Sequence, residues 1–184
     1  MLKEALDNYK GGEGDFLNAY RTALSVDLFV IITFIDCLVI SKYFLLADTD
    51  YDKRFMRGKM KVILNEGFKK LYGYEKNTYK KSEWCKLSSA VELCPEIIKR
   101  QYIDLSEKLK EQSVSPTWWK GERDVETHID AEKLYESRCE EIIESEVMMD
   151  VTKLLNTLYA VQLFTTNVHA CFHNTILKCS RPAL

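Results

Sequence analysis

The stretch that most constrains this chain runs from Val26 to Ala47. It is apolar on almost every side that a helix can present, and its charged interruptions are Asp27, Asp36 and Lys42. Such a segment has two homes, a protein core or a bilayer. A bilayer helix needs about 20 mostly apolar residues, and carboxylates inside it are expensive. Two aspartates therefore favour a core helix over a membrane span, and no membrane partner is expected. The helix plausible from the pattern runs from Phe16 to about Leu46, with Asp15 as its N-cap after the break at 10–14. Being apolar nearly all round from Leu24 onward, it belongs in the middle of a bundle. Arg21, Ser25 and Asp36 fall on one side of it and read as satisfied or partly exposed groups.

The rest of the chain follows the same period. With 7 Gly and 3 Pro in 184 residues, breakers are too few for a loop-rich β fold. A short helix is expected over 2–9. Asp48-Thr49-Asp50 reads as a turn and cap before a basic helix from about Tyr51 to Tyr72, with Phe55, Val62, Leu64 and Phe68 inward and Gly73 ending it. Further helices are expected over Tyr79–Leu93 and Glu96–Glu111, the latter with Ile97, Ile98, Tyr102, Leu105 and Leu109 apolar. Ser115-Pro116 opens a short one carrying Trp118 and Trp119. The last helix runs from about Glu146 to Lys178. Its seam is Val147, Val151, Leu154, Leu158, Val161, Val168 and Phe172, with Thr165 in the one gap. That seam is long enough to serve the core and also a partner chain. The expected fold is one all-α domain over 1–184. It is an antiparallel helical bundle of about six to eight helices, with a long central helix near the N-terminus and a long C-terminal helix.

Charge and cysteine usage narrow the setting. The first residues lack the continuous apolar core of a signal peptide, so a cytoplasmic location is expected. The six cysteines, 37, 85, 94, 139, 171 and 179, form no C-x-x-C pair and read as reduced, mostly buried thiols. The net charge of −2 conceals local balances of +8 over 53–86 and −8 over 122–150. These are either two solvated faces that attract each other or a basic face for phosphates. Within the basic segment, Lys53, Arg54, Arg57, Lys59 and Lys61 are the candidates for an RNA backbone, with a solvated helix face as the alternative. His169 and His173 are four apart and could share a metal from one helix face. No further ligand is identifiable in the sequence, so no metal or other cofactor is expected. Tryptophans 84, 118 and 119 read as core or interface anchors.

One stretch carries a chemical signature, Arg123-Asp124-Val125-Glu126-Thr127-His128. A guanidinium grips phosphate oxygens in a fork, and an imidazole moves protons near neutral pH. Asp124 lies one helical turn before His128 and can hold its ring. Together they suit metal-independent RNA cleavage, in which the 2′-hydroxyl attacks the adjacent phosphorus. Arg123 and His128 point about 140° apart on an ideal helix, so the site needs a second surface.

At these six residues the sequence resembles the HEPN superfamily, whose motif is Arg, a polar residue, three variable residues and His. The resemblance implies an all-α bundle with the motif ahead of a final long helix. It also implies a homodimer that brings two motifs together. The activity it implies is an endoribonuclease of toxin–antitoxin or phage-defence type, with RNA as substrate and an antitoxin or other protein as partner. Arg123, Asp124 and His128 would then be catalytic. Inactive relatives serve as binding modules, so a non-catalytic interaction module is the other reading. The acidic neighbours Glu122, Glu126, Asp130 and Glu132 would repel RNA unless the basic 53–86 segment lies over them.

Overall fold

The computed structural model describes residues 13–74, 76–114, 135, 136, 139 and 142–179. Their main helices are α1 (Glu13–Leu45), α2 (Asp50–Leu71), α3 (Lys76–Tyr79), α4 (Glu83–Val91), α5 (Glu96–Val114) and α6 (Glu144–Cys179), and residues 135, 136 and 139 are helical as well. No strand occurs among the described residues. The chain is an all-α helical bundle, as the helical period and the scarcity of breakers predict.

The helix ends follow local chemistry. Thr49 has extended backbone and its hydroxyl accepts from the Asp52 amide at 3.1 Å, which opens α2. Gly73 closes it with φ +86°. A Cβ there would stand 2.6 Å from the Tyr79 nitrogen, so only glycine fits. Ser82 caps α4 by accepting from the Cys85 amide at 3.1 Å. That cap starts α4 at Glu83, so the helix expected over Tyr79–Leu93 is shorter, and α3 lies ahead of it with only Tyr79 inside the expected range. Helix α1 already begins at Glu13, so Asp15 lies inside its first turn rather than capping it. The helices expected over 2–9 and from Ser115-Pro116 lie outside the described residues.

Helix α1 is the hub. It packs on α6, α2 and α4, while α5 packs on α6 and α4. It runs antiparallel to α6: Phe16 meets Phe172 edge to face at 5.0 Å, and Asp27 meets Gln162 and Thr165 further along. Its core side is Phe16, Ala19, Ala23, Val26, Val30, Cys37 and Phe44. Gly67 of α2 lets α1 approach closely, since a Cβ there would meet the Thr33 methyl at 2.8 Å. Trp84 of α4 is fully buried. It stacks on Tyr102 at 4.8 Å and donates from Nε1 to Ser106 Oγ at 2.8 Å, tying α4 to α5.

The α6 seam faces this core. Val151, Leu154, Leu158, Val161, Val168 and Phe172 are buried within the chain itself. Each such side chain contributes about 1.5–3 kcal/mol by leaving water. The seam is therefore occupied, and a partner chain must use another surface. Three expected core positions also turn outward. Phe55 and Val62 lie about 160–180° round α2 from Leu64, which shares its buried side with Met60, Phe68 and Leu71. Phe55 is exposed and Val62 half-buried. Ile97 sits about 100° from Ile98 on α5 and is exposed.

Candidate functional site

The described helices place two features on the α1–α6 side of the bundle. The first is a polar cluster within an apolar seam. Asp27 Oδ1 accepts from Gln162 Nε2 and from the Thr165 hydroxyl, both at 2.7 Å. Its other oxygen lies 3.8 Å from His169 Nδ1. Tyr20 places its ring edge-on to His169, with centroids 6.1 Å apart. Asp27 and His169 are each mostly buried. Thr165 is fully buried. Gln162 Oε1 and His169 Nε2 are buried without a hydrogen-bond partner. A carboxylate that accepts two hydrogen bonds across a helix pair fixes the register of one helix on the other. Asp27 thus belongs to the bundle rather than simply interrupting an apolar run.

The second feature is the outer side of α1. Leu24, Leu28, Ile31, Ile32, Ile35, Leu38, Val39 and Tyr43 recur at helical spacing, Leu46 follows just past the helix end, and all are 39–65% exposed. Tyr159 of α6 adjoins them across a shallow pocket of about 130 Å³, and Leu163 continues the patch one turn on. Together these eleven large side chains form an exposed apolar face, where the largest patch of a typical monomer is about 300–600 Å². A helix apolar on all sides need not be covered on all sides: α1 is central in its packing, yet its outer face is open. Arg21, Ser25, Asp36 and Lys42 are exposed on or beside this face. By length and composition alone, Phe16–Leu45 is apolar enough to cross a membrane, with mean hydropathy 2.4 in its most apolar window.

Arg123, Asp124 and His128 lie outside the described residues, as do Trp118, Trp119 and the acidic positions 122, 126, 130 and 132. The basic candidates on α2 do not share one exposed stripe. Lys53 forms an ion pair with Glu144 at the start of α6, which raises its pKa, chiefly through that hydrogen bond. Lys61 is buried, while Arg54 and Arg57 are half-buried. Lys59 is exposed and sits over the Phe55 ring, 5.2 Å from its centre. The Lys53–Glu144 pair is one physical link between the basic and acidic segments, whose mutual attraction the charge pattern suggests. His169 turns to Asp27, whereas His173 is exposed. Among the described residues no three His, Cys, Asp or Glu side chains gather as a metal site would require.

Sequence reasoning missed the Asp27 cluster, although its signal was present. A carboxylate in an apolar helix and a threonine in the one gap of an apolar seam each look like a defect. Read together, they are a donor and an acceptor in need of each other. Comparison with family models, curated proteins and solved structures finds no match to this chain.

Proposed function

We propose that this chain is an all-α assembly module that pairs with a second copy of itself through the outer face of α1. The carrying observation is the extent of that face. A stable interface covers about 800 Å² per partner, and eleven large apolar side chains along α1 and α6, each at least 39% exposed, offer a face of that order. Its make-up fits as well. Apolar side chains fill the middle, while Arg21, Ser25 and Asp36 lie to one side and Lys42 near one end, as in a dry centre with a polar rim. One self-complementary patch suffices for a two-fold dimer. A bilayer is the less suitable occupant. The inner side of α1 packs on α2, so a spanning α1 would draw the Lys- and Arg-rich α2 towards hydrocarbon.

Light scattering on the purified chain tests this. A dimer is expected, and Leu28→Lys with Ile35→Lys should give a monomer of unchanged helicity. A monomeric wild type that floats with anionic vesicles would transfer the face to a lipid surface.

A second reading is favoured by the Arg123-Asp124-x3-His128 motif: a HEPN-like, metal-independent endoribonuclease of toxin or phage-defence type. It shares the dimer with the first reading, because one helix cannot aim Arg123 and His128 at one phosphate. In it Arg123 clamps the phosphate, His128 moves the proton and Asp124 orients the ring. The pure chain should then cut single-stranded RNA without added metal and leave 2′,3′-cyclic phosphate ends. Arg123→Ala and His128→Ala should each abolish cutting. Undiminished cleavage in both variants rules the mechanism out.

A further inference from the structure

At the opposite end of α6 from its Glu144 start, the α4–α5 turn and the helix enclose an open cleft of about 540 Å³. Its walls include Phe16, Pro95, Phe172 and Asn174, together with two thiols, Cys94 and Cys171. Cys94 belongs to the turn and is nearly buried, with its Sγ set 3.5 Å from the Ala90 carbonyl oxygen. Cys171 belongs to α6 and is partly open to solvent. Both thiols line this one cleft. One accessible thiol thus stands in front of one enclosed thiol, in a cleft with room for a small molecule.

We propose that this cleft is a thiol–disulfide exchange site in which Cys171 takes a small-molecule thiol as a mixed disulfide and Cys94 resolves it. The Cys171 thiolate attacks one sulfur of a low-molecular-weight disulfide. The S–S bond of that disulfide breaks and one small thiol leaves. The Cys94 thiolate then attacks Cys171 Sγ, and the second small thiol leaves. The two protein thiols give up two electrons and two protons, and the small disulfide is reduced to two thiols. The product bond, Cys94–Cys171, ties the α4–α5 turn to α6. It closes a loop that holds α5 and the Arg123–His128 segment.

The order of events follows from the surroundings. Burial, with the Cys171 side chain as a lesser cause, pushes the Cys94 thiol up to about 12. Little Cys94 is therefore thiolate at neutral pH, which makes resolution the slower step, while the solvent-open Cys171 takes the small disulfide first. Cys139 is exposed, which makes it an internal control.

The experiment treats the full chain with oxidised glutathione and maps the peptides without reduction. Wild type should give a Cys94–Cys171 cross-linked peptide with the mass loss of two hydrogens, formed faster as pH rises from 7 to 9. Cys94→Ser should instead accumulate the glutathione adduct on Cys171, and Cys94→Ala checks that this does not depend on the new hydroxyl. Cys171→Ser should leave Cys94 unmodified while Cys139 is modified as before. The proposal is overturned if Cys139 takes glutathione while wild type forms no 94–171 link. It is overturned equally if Cys94 is modified in the Cys171→Ser chain as quickly as Cys139. Circular dichroism of each variant confirms that it remains folded. This proposal stands apart from the dimer, so neither result decides the other.

Discussion

Asp27 shows how a single residue can be misread at first sight and then explained by its neighbours. In the sequence it is a charge inside an apolar run. In the fold it accepts from Gln162 and Thr165 on the antiparallel α6. Removing it strips both donors of a partner in a largely dry setting, although the Thr165 hydroxyl also lies 3.0 Å from the Gln162 carbonyl. Asp27→Ala should therefore cost about 1–3 kcal/mol in urea unfolding, and Asp27→Asn clearly less. Gly67 makes a second residue-scale case. Alanine there gains about 0.8–1 kcal/mol of helix propensity, yet its Cβ meets the Thr33 methyl at 2.8 Å. Threonine is stiff about χ1, so the clash dominates and costs about 1–3 kcal/mol. Gly67→Ala should destabilise the wild type but stabilise a Thr33→Ser background. A double-mutant cycle by chemical denaturation reads that change of sign.

At the scale of elements, the bounds of α2 and α6 were legible to within two residues because capping and spacing are local, while α5 runs three residues past its expected end. Thr49 and Gly73 act through neighbouring amides and a backbone angle, and both can be read from sequence. Which side of a helix is covered is not local. Phe55 and Ile97 were expected inward because they are large and apolar, but they lie off the stripes set by Leu64 with Phe68 and by Ile98 with Leu109. Helix α1 is the larger instance. A run apolar on all sides carries no period, so sequence alone could not say which side meets α2, α4 and α6. Trp84 belongs at this scale too, because it joins α4 to α5 through Tyr102 and Ser106. Trp84→Ala should lose about 3–5 kcal/mol, seen as an early melt by circular dichroism.

For the molecule as a whole, the all-α bundle follows from the helical period, whereas the site is only partly legible. The motif at Arg123–His128 suggested chemistry that needs a second copy. The α6 seam looked able to supply the contact, but the chain's own core occupies it. Among the described residues, the open face of α1 is the surface proposed for that contact. Dimerisation there would cover apolar surface that otherwise faces water, the same force that drives folding. Nuclease activity, if it follows the motif, should then fall with the dimer: Leu28→Lys with Ile35→Lys should silence RNA cleavage although neither residue belongs to the motif. An active monomeric variant would separate the two ideas.

The most direct test is sedimentation equilibrium of the wild type and the Leu28→Lys, Ile35→Lys chain across a concentration series. Each substitution removes a side chain whose burial is worth about 1.5–3 kcal/mol. The account predicts a wild-type dimer and a variant at least about 100-fold weaker in association, given tenfold per 1.4 kcal/mol. A wild type that stays monomeric throughout, or a variant that dimerises equally well, would contradict it.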